Sequence, residues 1–71
     1  MMKYTTYETT GNQTFTAKSH IDAYRTLCGK LSVDGYRAIT AIAENGAIVH
    51  ASLYLDESYI KNKNGVKIYE S

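Results

Sequence analysis

Seventy-one residues, with eight Lys or Arg against seven Asp or Glu and a net charge of +1, make one small globular domain, 1–71. Folding a chain this short buries only about 60% of its unfolded surface and leaves no room for separate cofactor and substrate units. The near-neutral charge argues against a general attraction to nucleic acid or membrane, the single cysteine excludes an internal disulfide, and neither a membrane-length apolar run nor a secretory leader is visible, so a soluble, unprocessed, cytoplasmic protein is expected.

In chain order, Lys3 to Thr9 and Gln13 to Ala17 are rich in threonine and aromatics. They read as a hairpin closed by a three-residue loop, Thr10-Gly11-Asn12. That register sets Tyr7 opposite Phe15 on the core face and Thr5 opposite Ala17. Ser19 is placed as a helix N-cap with Asp22 in the first turn. At 100° per residue, Ala23, Tyr24, Leu27, Cys28 and Leu31 share one side of a helix of two to three turns. Gly29 is its natural stop, unless Leu31 carries the stripe further.

The stretch from Tyr36 to Leu55 reads as two strands around Asn45-Gly46. A two-residue turn there pairs Ile42 with Val49, Thr40 with Ala51, Ala38 with Leu53 and Tyr36 with Leu55, and these pairs are expected to face the helix. In particular Ala38, Ile42, Val49, Leu53 and Leu55 are expected beneath Leu27 and Tyr24. The outward face then carries Arg37 opposite Tyr54, Ile39 opposite Ser52, Ala41 opposite His50 and Ala43 opposite Ile48. After Asp56-Glu57-Ser58, either a short helical turn or a hairpin around Asn64-Gly65 is compatible with the pattern. The alternation of Val66 to Glu70 favours the hairpin. The expected fold is therefore α+β: an antiparallel sheet of four or five strands, order β-β-α-β-β(-β), with one helix packed on one face.

Catalytic chemistry finds little support. His20, His50 and Cys28 do not stand at zinc-type spacing, Cys28 falls on the buried helix stripe, and the acidic residues are scattered singly near turns and caps. Neither an enzyme, a metal nor a cofactor is expected. Two surface groups could bind. Arg37, Ile39, His50 and Tyr54 on the outward sheet face are residue types that anchor partner proteins. Tyr59, Lys61, Lys63, Lys67 and Tyr69 mix cations with rings and could meet the phosphates and bases of a nucleic acid, although lysines also guard sheet edges.

A strand hairpin ending in Phe15-Thr16-Ala17, then Ser19 and Ala23 in a short helix, then an Asn-Gly hairpin, resembles the layout of small phage-encoded type I anti-CRISPR inhibitors. The resemblance covers most of the chain as an order of elements. It implies a non-enzymatic protein that binds a host protein or nucleoprotein complex and covers a functional surface. None of that family's contact residues maps onto a position here, and the near-neutral charge departs from the acidic members that imitate DNA. A nucleic-acid-binding module on the Lys/Tyr edge and a structural or regulatory homodimer are the alternative readings.

Overall fold

The apolar stripe of the helix organises the molecule in a computed structural model of the chain, which describes residues 1–7, 11–53 and 57–70 apart from the Asp34 side chain. The elements follow the order β1 (Met2–Tyr7), β2 (Thr14–Ala17), α1 (His20–Asp34), β3 (Ala38–Ala43), β4 (Ile48–Ser52), β5 (Tyr59–Lys61) and β6 (Lys67–Glu70). The six strands form one antiparallel sheet in the spatial order β2-β1-β3-β4-β5-β6. The fold of the described residues is thus α+β with one helix, as expected, but the sheet reaches six strands in place of four or five. It does so because the Asn64-Gly65 hairpin forms and both of its arms join the sheet.

Ser19 caps α1, its Oγ accepting from the Asp22 N–H at 3.2 Å. Gly35 ends the helix in the left-handed region at φ 75°, donating its N–H to the Leu31 carbonyl. Gly29 does not stop the helix; it lies exposed within it, because Leu31 extends the buried stripe by another turn. Ala23, Leu27 and Leu31 are buried and Tyr24 and Cys28 pack beside them, the grouping that the 100° spacing gives. The helix lies chiefly across β4 and β3 and reaches β2 and β5. Ala17, Ala23, Ala41, Ala43, Ala47 and Ala51 are all in the core, so the backbones can approach closely while Tyr4, Leu27, Ile39, Val49 and Ile60 supply the bulk.

Both early hairpins differ in register from the expectation. In the first, Tyr4 instead of Tyr7 stands opposite Phe15, with ring centroids 5.4 Å apart, and Tyr7 is 53% exposed. The connection is longer than three residues: Thr6 donates its N–H to Gln13, and the Thr6 hydroxyl exchanges further bonds with Gln13's backbone. Tyr4 is the better core residue because Ala43 lies opposite it on β3 and leaves room for its ring. Its hydroxyl meets His20 Nδ1 at 2.6 Å, which satisfies a polar tip that burial would otherwise penalise. Burial, and secondarily the Asp22 carboxylate, push the Tyr4 hydroxyl's pKa up.

In the second hairpin β3 is turned over relative to expectation. Gly46 donates to the Ala43 carbonyl at 2.9 Å and Ala43 donates to Ala47 at 2.8 Å, so the loop is the three residues Glu44-Asn45-Gly46 with Gly46 at φ 93°. Asn45 Oδ1 accepts from the Ala47 N–H and braces it. One more loop residue shifts the pairing by one, so Thr40 opposes His50 and Ile39 opposes Ala51, and every β3 side chain changes face. Ile39, Ala41 and Ala43 go beneath the helix; Ala38, Thr40 and Ile42 go to the other side. Val49 and Ala51 are buried as expected, whereas Ala38 is exposed and Leu53 is 66% exposed. Leu55, Tyr54, Asp56 and Thr10 lie outside the described residues.

Candidate binding face

Among the described residues α1 lies on one side only and the opposite side of the sheet is uncovered, and the strand registers dictate which residues occupy it. One transverse row runs Tyr7, Thr40, His50, Tyr59, Glu70 across β1, β3, β4, β5 and β6. The next row runs Thr14, Thr5, Ile42, Ile48, Lys61, Lys67 from β2 to β6. Lys3, exposed and opposite Thr16, lies one step further on β1.

The rows are held together by side-chain contacts. Thr40 Oγ1 lies 2.8 Å from His50 Nδ1, and the His50 ring stacks on Tyr59 at a centroid distance of 5.0 Å and an angle of 21°. Partial burial in this stack lowers the His50 pKa, with the Glu57 carboxylate opposing the shift. The imidazole is therefore biased toward its neutral form, suited to a hydrogen bond and a ring contact. Lys61 Nζ stands 5.0 Å and Lys67 Nζ 5.7 Å from the Tyr59 centroid, within cation–π range. Lys67 also pairs with Glu70 at 2.6 Å, and that contact lowers the Glu70 pKa.

The residues singled out in the sequence divide four ways. His50, Tyr59, Lys61 and Lys67 come together on the uncovered face, although the sequence placed them in two separate groups. Arg37 is exposed just before β3, its carbonyl accepting from the Leu53 N–H at 2.9 Å, and Lys63 is exposed in the last hairpin loop. Ile39 and Tyr69 belong to the helix side: Ile39 is 1% exposed, and Tyr69 packs on Tyr24 at 5.1 Å. Tyr54 is not among the described residues. Thr40, Ile42 and Tyr7, expected on the helix side, lie on the uncovered face instead. Reading the Asn-Gly pair as the end of a three-residue loop would have recovered Thr40 and Ile42.

Elsewhere, an open groove of about 370 Å³ on α1 is lined by Thr26, Gly29, Lys30 and Val33. Among the described residues no group of three His, Cys, Asp or Glu side chains is arranged to hold a metal ion. No described helix is long and apolar enough to cross a membrane. No family model, curated protein or solved structure matches the chain.

Proposed function

We propose that the chain is a non-enzymatic binding protein that lays the uncovered face of its sheet on a macromolecular partner, as an inhibitor covering a functional surface of a host protein or nucleoprotein complex would. The observation that carries this reading is the His50–Tyr59 stack on a rigid sheet, bordered by Ile42, Ile48 and two lysines. Aromatic rings whose orientation is fixed in advance lose little entropy on binding, and an apolar patch among polar groups is the usual make-up of an interface centre. The anti-CRISPR-like layout supports the same reading and suggests a phage or mobile-element source acting in the host cytoplasm. Arg37 and Tyr54 belong to the proposal as further contacts.

The test is affinity capture with the intact protein, followed by titration of the captured partner against variants. Tyr59→Ala and His50→Ala should each weaken binding by about 2 kcal/mol if they are interface hot spots, while Val33→Ala on the solvent side of α1 should change nothing. Arg37→Ala and Tyr54→Ala go through the same titration. Thermal melts accompany every variant. A partner held equally tightly by folded Tyr59→Ala and His50→Ala variants would remove this face from the function.

A further inference from the structure

Lys61 and Lys67 stand directly opposite each other on adjacent strands of the uncovered face. Like charges in that relation destabilise a sheet. Tyr59 offsets part of the repulsion through its ring, and Glu70 pairs with Lys67, yet among the described residues no carboxylate pairs with Lys61. The same face carries Lys3, and Glu70 is the only acidic residue in its described rows. A sheet that keeps two lysines opposite each other, with a carboxylate on Lys67 alone, beside an aromatic stack is complementary to a polyanion.

Resting on the reading of this face as the binding surface, we infer that its partner is a single-stranded nucleic acid, with phosphates at Lys61 and Lys67 and bases over Tyr7 and the Ile42–Ile48 patch. Tyr59 is already enclosed by His50 and the two lysines, so its part is to hold the ammonium groups in place. Tyr7, 53% exposed at the other end of the same row, offers the freer ring. From β1 to β5 the sheet spans three interstrand spacings, about 14 Å, so Lys3 and Lys61 bracket the apolar strip on which bases would lie. A broad sheet face presents no helix or ribbon that could enter a duplex groove, whereas splayed bases can stack on rings and apolar surface. Phosphates and base faces are common to DNA and RNA, so both single strands are bound.

The experiment is fluorescence anisotropy with labelled oligothymidylate, oligouridylate and a DNA duplex of equal length, titrated with the whole protein across a range of salt. Both single strands should bind more tightly than the duplex. The logarithmic salt slope should shrink by about 0.7 for each phosphate contact removed in Lys61→Gln and Lys67→Gln. Tyr7→Ala should weaken single-strand binding about fivefold or more. Lys61→Gln and Lys67→Gln alter exposed or half-exposed positions, so their melts should stay close to wild type. The inference is overturned by no anisotropy change at low salt, by a duplex bound as tightly as the single strands, or by unchanged slopes in folded lysine variants. If every oligonucleotide is ignored while Tyr59→Ala still loses the captured partner, the face remains the binding surface and the nucleic acid is eliminated.

Discussion

His50 shows how much one side chain's surroundings decide. It hydrogen-bonds Thr40, stacks on Tyr59 and is held below its ordinary pKa by partial burial. The Glu57 carboxylate favours the proton against that burial, and the Lys61 and Lys67 ammoniums stand over the neighbouring Tyr59 ring. A histidine whose folded pKa is lowered binds fewer protons than the unfolded chain does near pH 6.5, so its contribution is full above that pH. It is lost as pH falls from there to the folded pKa, and below that the curve is flat again. Thermal melts of wild type should therefore drop relative to His50→Gln on moving from pH 7.5 to pH 5.5. Parallel melting curves for the two proteins would mean that the stack is indifferent to the proton.

At the scale of elements, α1 contains a correctable weakness. Gly29 sits within the helix, and a Cβ added there meets no atom within 4 Å. Gly29→Ala should stabilise the protein by roughly 0.5–1 kcal/mol, by restricting the unfolded chain and favouring helical backbone. Chemical denaturation with an unshifted midpoint would contradict this. The helix itself was legible because its cap, stripe and acidic first turn all point one way. The hairpins were legible as pairs of strands, but the first two were not in register, and for β3–β4 the reason lies in how its glycine closes the turn. Gly46 and Gly65 each donate to the residue three before them, Ala43 and Asn62, and so each closes a turn at its fourth position with a positive φ. An Asn-Gly pair at positions two and three of a tighter turn has the same sequence, and nothing local distinguishes them. What selects the longer loop is tertiary: it buries Ile39 and three β3–β4 loop-proximal alanines, Ala41, Ala43 and Ala47, under α1. In the last hairpin an irregularity between Ile60 and Lys61 restores the pairing of Tyr59 with Glu70 and Ile60 with Tyr69, so a tight-turn register and the three-residue loop coexist there.

For the whole molecule, the margin is narrow. There is no disulfide, the core is built largely on alanine, and a domain of this size has only a few kcal/mol in reserve. Ile39→Ala should cost roughly 2 to 5 kcal/mol and bring the chain close to unfolding at ambient temperature. Leu53→Ala, which a one-residue change of register would make equally damaging, should stay within about 0.5 kcal/mol because Leu53 is mostly in solvent. Urea titration of both variants is a direct check on which way β3 faces: equal losses, or a larger loss at Leu53, would reverse the assignment. The candidate face depends on that check, since His50 was placed outward from sequence whereas its neighbours Thr40 and Ile42 were not.

The strand order also governs the sequence of events by which the molecule closes. Every strand pair joins neighbours along the chain except β1 with β3, which brings Tyr4 to Ala43 and Tyr7 to Thr40 across the whole of α1, with Lys3 accepting from the Glu44 N–H at the end of the seam. Loop-closure entropy is concentrated in that seam, while the β3-to-β6 meander can zip from turn to turn. The strands are accordingly two locally paired groups joined along one seam, with α1 packed across both. Pulsed hydrogen exchange during refolding should find amides paired within the meander protected before those that bridge β1 and β3, and simultaneous protection would mean that the two groups never exist apart.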